Sequence, residues 1–405
     1  MFLSLCMIFT FGILGGILFE KIKLPKLIWY LILGICLGPS LFNLVDSNLL
    51  RISSYLRQIA LVIILTRSGL SLDLKTLKQI GRPAVLLCFV PACLEMIGVV
   101  IFAPIFLHIS YVEALLLGSV LAAVSPAIVV PRMIKLKEEG YGQSVPELVM
   151  AGASCDDIFV IVLFYSFKNL VALQTLNPLT LLQIPLSIGL GTLMGLIVGS
   201  ILALFFKKIK IYSIGKVILL LGISFGMLAI ETAVKEYLSI SSLLGIIVVA
   251  VILKYKQKDM AVEIQKSYNH LWSGFEILLF VLVGCATDIH YAFSKEGGLL
   301  LGIIILALIF RSLGVFLCVI ATKFTWKEKL FIVLSYLPKA TVQASIGGIA
   351  LSEGLACGTI VLTAAVISIL FTAPIGAILM DFSYKKLLNR SSLSMETSEN
   401  QIMQL

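Results

Sequence analysis

The sequence predicts an all-helical protein that crosses a membrane many times. Three observations carry that prediction. Hydrophobic residues make up 60% of the 405 and charged ones only 13%, with a mean hydropathy of +1.08; a soluble domain averages about 45–50% apolar and about 25% charged residues. Apolar stretches of about 20 residues, each able to cross about 30 Å of hydrocarbon, recur along the whole chain. The basic residues, finally, alternate from loop to loop.

About thirteen stretches meet the length criterion. They are 2–20, 26–45, 54–70, 83–107, 111–132, 145–174, 181–207, 213–233, 239–254, 271–292, 298–322, 329–352 and 356–382. The first, within "MFLSLCMIFTFGILGGILFE", lacks the basic n-region of a cleaved signal and reads as a retained span. The last 17 residues, "NRSSLSMETSENQIMQL", are polar and read as a disordered cytoplasmic tail, 389–405, after a transmembrane unit of 1–388.

The net charge of +9 does not point to a nucleic acid, because of where it lies. Of 31 basic residues, 23 are assigned to loops after odd-numbered spans and five, Arg51, Arg57, Lys168, Lys235 and Lys295, to loops after even-numbered ones. Arg67, Arg311 and Lys339 lie inside spans or at their ends. The positive-inside rule then puts the N-terminus outside and the C-terminus in the cytoplasm of a cell membrane, inner or plasma. All eight cysteines sit in apolar spans, where they suit helix packing better than a disulfide framework.

Spans 1–6 (1–174) and 8–13 (213–383) can form two inverted six-helix repeats, joined by the linker helix 181–207. Repeats of this kind place substrate sites at midplane between discontinuous helices. Each half carries a matching interruption in its fifth span. "LLLGSVLAAVSPAIVVPRM" has Ser125, Pro126 and Pro131; "LFIVLSYLPKATVQASIGGIAL" has Pro338, Lys339, Thr341, Gln343 and a Gly347–Gly348 pair. Plain kinking would explain either one alone; the matched positions favour true breaks.

Ionisable groups inside a membrane are candidate functional sites. "GASCDDIFV" puts Asp156 and Asp157 at the middle of span 6, pointing about 100° apart on a helix. Span 11 places Arg311 at a similar depth, where it needs a carboxylate. One aspartate can therefore belong to a packing ion pair, and the other is left over. A dehydrated carboxyl favours its neutral form and is also a hard oxygen ligand for Na⁺ or Li⁺, so proton and cation would compete for it. Glu95 and Glu276 read first as halves of structural ion pairs, and Arg67 as a partner of Asp73. Lys339, just after Pro338, is placed to balance a helix C-terminal dipole. His108, His270 and His290 fall at span ends and form no cluster. There is no Ser/His/Asp set, phosphate loop or CxxC, so neither an enzyme nor a cofactor is expected.

"AAVSPAIVVPRM", "GASCDDIFVIVLF" and "YLPKATVQASIGGIAL", in that order, resemble monovalent cation/proton antiporters of the NhaA-like fold. The branch is the one with paired aspartates, which includes the NHA-type sodium/proton exchangers. That resemblance implies thirteen helices, a dimerisation domain, a six-helix core that moves like an elevator, and a homodimer. It assigns cation binding to Asp157 and pairs Asp156 with a basic residue, here Arg311, where many electrogenic bacterial members have lysine. Ser125, Thr341 and Gln343 would line the crossing. The expected function is exchange of sodium or lithium for protons by alternating access, in the service of pH homeostasis. The alternatives are a potassium/proton antiporter of the same fold, a sodium-coupled importer of an organic solute, and a scaffold that transports nothing.

Overall fold

The computed structural model describes residues 1–72, 78–142, 144–173, 178–209, 211–234 and 240–390. Asp73, expected beside Arg67, and the tail beyond Arg390 lie outside them. The described residues form helices and a single isolated bridge, Tyr141 to Arg390. Every apolar stretch read from the sequence carries helix. In chain order these are α1 (Phe2–Lys21), α2 (Lys26–Leu37), α3 (Ser47–Arg51), α4 (Ser53–Ser71), α5 (Arg82–Leu87), α6 (Val90–Leu107), α7 (Tyr111–Leu121), α8 (Pro126–Glu138), α9 (Val145–Leu173) and α10 (Pro178–Lys208). There follow α11 (Ser213–Val234), α12 (Ser242–Lys256), α13 (Lys258–Ala286), α14 (Ile289–Ala292), α15 (Lys295–Val319), α16 (Trp326–Ser335), α17 (Thr341–Ile346), α18 (Ile349–Ser352) and α19 (Gly358–Leu387). Among the described residues, 9 helical stretches are long and apolar enough to cross a membrane, and α2 is a shorter apolar helix.

One boundary differs clearly from the expected 271–292. Helix α13 starts at Lys258 and ends at Ala286. Its first half is too polar for a hydropathy criterion, yet Ala261, Ile264, Tyr268 and Trp272 recur at helical spacing and are buried. His270 therefore sits inside a helix rather than at a span end. Arg57 and Lys168, counted above with loop charges, are likewise helical and buried, in α4 and α9.

The helices pack in two groups. In one, α4 lies against α12 and α13, α2 against α1 and α13, and α10 against α12. At the α2–α13 crossing the backbones touch: a Cβ on Gly34 would lie 2.1 Å from the Val281 oxygen, and one on Gly284 2.3 Å from the Leu31 oxygen. In the other group α6 pairs with α15, α7 with α6 and α9, and α16 with α19. The groups meet where α17 lies on α4 and α13, and where α2 meets α19.

Candidate functional site

Spans 5 and 12 are both interrupted at membrane depth. Pro126 occupies the first turn of α8, where its missing N–H costs nothing. The residue before a proline is pushed out of the helical region, and Ser125 is extended at φ −93°, ψ 105°. Residues 122–125 thus separate α7 from α8, and 336–340 separate α16 from α17. The two breaks touch, for Ser125 N–H donates to the Pro338 carbonyl at 2.8 Å.

Ending a helix in hydrocarbon strands its last carbonyls. Buried side chains from other helices and from the opposite break satisfy them here. Lys339 Nζ donates to the Leu121 carbonyl and Arg311 Nη1 to that of Ala122. Gln343 Nε2 donates to the Ala123 carbonyl at 2.8 Å. Arg311 Nε donates to the Tyr336 carbonyl at 2.6 Å, and Lys339 N–H to Thr372 Oγ1 at 2.9 Å. On the other side of the break, Val124 N–H donates to Asp156 Oδ2 at 2.8 Å.

Arg311 holds two carboxylates, not one. Its Nη2 lies 2.9 Å from Asp156 Oδ2, and its Nη1 2.9 Å from Glu95 Oε2. Glu95 also meets Lys339 Nζ at 2.6 Å. Asp156, Glu95, Arg311 and Lys339 are all 0% exposed, and their formal charges cancel. Asp157 takes no part: it forms no ion pair, and its Oδ1 is buried with no hydrogen-bond partner among the described residues. Ser125 Oγ, Gln343 Oε1 and Asp156 Oδ1 are buried in the same condition.

Asp157 also differs from that quartet in access. A cavity of about 1300 Å³ reaches it between the two helix groups, lined beside it by Ser154, Pro126 and Thr341. Its lining also holds basic side chains, among them Lys23, Arg132 and Lys135, and acidic ones, among them Glu20, Glu147 and Asp381. None of Asp156, Glu95, Arg311 and Lys339 lines it.

Of the residues singled out from the sequence, Asp156, Asp157, Arg311, Glu95, Ser125, Pro126, Lys339, Thr341 and Gln343 meet here. Glu95, read there as half of a structural pair, is a bridge between the two buried cations. Lys339 does sit at a helix C-terminus, that of the opposite broken helix. Of the weaker charges, Glu276 lines the cavity and pairs with Lys26 at 3.3 Å, while Arg67 Nε donates to Asn269 Oδ1 at 2.7 Å. Sequence reasoning missed the four carbonyl acceptors of Leu121, Ala122, Ala123 and Tyr336. The only signal for them was the break itself, since any broken helix must place its carbonyls.

Two interrupted helices crossing at a buried carboxylate, with a water-sized route to one side, define a secondary transporter. The profile "Sodium/hydrogen exchanger, transmembrane" matches residues 7–381, and the chain belongs to that sodium/hydrogen exchanger family. It is similar to sodium/hydrogen exchanger 9B2 of Mus musculus, 33% identical over 410 residues, covering 96% of this chain and 74% of the relative. The Homo sapiens 9B2 exchanger is 34% identical over 405 residues, covering 96% and 75%. In fold the chain matches the sodium proton antiporter MjNhaP1 of Methanocaldococcus jannaschii, with a TM-score of 0.80 at 21% identity over 95% of this chain and 97% of that one. The protein is an antiporter of sodium and protons in a membrane.

Proposed function

We propose that Asp157 is the group for which sodium, or lithium, and the proton compete, and that the chain exchanges them by alternating access. The observation that carries this is the separation of Asp157 from the neutral quartet beside it. Buried, unpaired and open to the cavity, it is the one carboxylate at the crossing that can change its occupant without breaking an ion pair. The partnerless oxygens of Ser125, Gln343 and Asp156 lie in the surrounding residues, and hard oxygens suit a small monovalent cation. Asp156 and Arg311 would anchor the half-helix ends, with Glu95 and Lys339 completing the charge balance.

The motifs support placing the chain in the paired-aspartate branch of the NhaA-like fold, acting as a transporter and not an enzyme, as a homodimer. The inverted repeats 1–174 and 213–383 around the linker helix 181–207 belong to the same reading. Lys23, Lys26, Arg132, Lys135 and Lys137, from the loops after odd-numbered spans and beside them, line the cavity, so with the N-terminus outside this conformation faces the cytoplasm of a cell membrane. Purified protein in proteoliposomes tests the reading. A sodium or lithium pulse should move luminal pH with no organic solute present, and potassium should not. A pH change driven by potassium alone, or one that needs an organic solute, would overturn it.

A further inference from the structure

Helix α4 of one group and α17 of the other share a seam whose two ends differ. At one end Ile64, Arg67 and Ser68 of α4 and Thr341 of α17 line the large cavity. Ten residues back along α4, about 15 Å at about 1.5 Å per residue, the seam is shut. Arg57 lies there, 9% exposed, against Gly348 in the short link between α17 and α18. A Cβ at position 348 would sit 2.2 Å from Arg57 Nη1, so the glycine is what lets the guanidinium lie on the backbone. The space left around it is about 10 Å³, room for about one water and no hydrated ion.

The pairing is an odd one for packing alone. Arg57 Nη1 is buried and has no hydrogen-bond partner among the described residues. The surrounding pocket offers Ser54, Gln58, Ser345 and Ser352 but no carboxylate. Two of these hydroxyls already donate to backbone: Ser345 to Thr341 at 2.6 Å and Ser352 to Ile349 at 2.9 Å. A buried guanidinium without a counter-charge destabilises the place it occupies, and its positive charge repels any cation arriving from that end.

We infer that Arg57 seated on Gly348 is the closure of the ion pathway on the side opposite the cavity, and that this contact parts each time Asp157 is exposed to that side. The inference rests on Asp157 being the alternately exposed site. Arg57 belongs to the α4 group and Gly348 to the α17 group, so relative movement of the two groups would break this contact while the Asp156–Arg311–Glu95–Lys339 quartet, wholly within the second group, moved as a unit.

The test uses full-length protein in proteoliposomes, carrying Ser345→Cys on a background without native cysteines that still exchanges sodium for protons. A membrane-impermeant thiol reagent is added on the side away from the cavity mouth. Labelling should be slow with Arg57 present and at least tenfold faster in Arg57→Ala; equal rates in two folded proteins would overturn the closure. A second arm does not depend on that variant. Arg57→Cys with Gly348→Cys places two thiols across the seam, and a short cleavable bifunctional reagent joins them. Exchange should stop on bridging and return on reduction, whereas undiminished exchange in bridged protein would overturn the proposal. Asp157→Asn serves as control: if it still exchanges, the reading of the site fails, while the labelling result on Arg57 stands by itself.

Discussion

Replacing Glu95 by glutamine keeps the shape of the side chain and removes its charge. Arg311 would keep Asp156, at 2.9 Å, but Lys339 would lose the only carboxylate within ion-pair distance among the described residues. The quartet would change from neutral to one net positive charge in a region that is 0% exposed. At an effective dielectric of about 20, each of the contacts at 2.9 and 2.6 Å is worth roughly 6 kcal/mol of attraction before desolvation. Desolvation of the partners offsets much of that, and breaking a buried pair on one side costs about 3–5 kcal/mol net. Glu95→Gln should therefore lower the melting temperature of detergent-solubilised protein, read by intrinsic fluorescence, by about 4–6 °C. Adding Lys339→Gln restores neutrality, so the double variant should recover more than half of the loss. If instead the double variant loses the sum of the two single losses, Glu95 and Lys339 are energetically independent and the balanced quartet is wrong.

Exchange should also be electroneutral, because Arg311 cannot release its proton and Lys339 is tied to Glu95 and the Leu121 carbonyl. One net charge moved across 100 mV is worth about 2.3 kcal/mol, roughly 50-fold in the equilibrium. A clamped voltage should leave the transport equilibrium in proteoliposomes unchanged, and a 50-fold displacement would identify a second proton carrier. Tyr212, 71% exposed between α10 and α11, lies in a loop assigned to the cytoplasm, so a cysteine there should resist impermeant reagent in intact cells and react after permeabilisation. Gly284→Leu pushes a side chain into the Leu31 carbonyl at a backbone contact, where overpacking costs about 1–3 kcal/mol or more; its melting temperature should fall, and an unchanged one would mean that the α2–α13 crossing is looser than described.

Hydropathy located the helices because the bilayer imposes length and apolarity on each span separately, a constraint that leaves its mark in local sequence. It failed at α13, where burial of one face by protein replaced contact with lipid and allowed Lys258, Asp259, Glu263 and Lys266 into the same helix. The breaks were legible because proline and glycine act locally: Pro126 set Ser125 extended whatever surrounded it. Asp157 stood out because unpaired charge in hydrocarbon is costly wherever it occurs. The pairing pattern was not legible. Glu95 and Lys339 are 244 residues apart in sequence, and only packing shows that they pair with each other, Glu95 also with Arg311 and Lys339 also with the Leu121 carbonyl at the buried end of α7. Arg57 was taken for a loop charge for the same reason, since nothing near it in sequence tells of Gly348.

The most direct measurement compares the protein with its Asp157→Asn variant in the same proteoliposomes. Asparagine preserves the volume at position 157 and removes both the charge and the titration. No ion pair among the described residues is lost, so the variant should fold and melt at or above the parent temperature, as expected when an unpaired buried charge is removed. Sodium-driven proton movement should vanish, and so should any thermal stabilisation by added sodium. Asp157→Asn vesicles that still exchange sodium for protons at the parent rate would contradict the assignment of both ions to this one carboxylate.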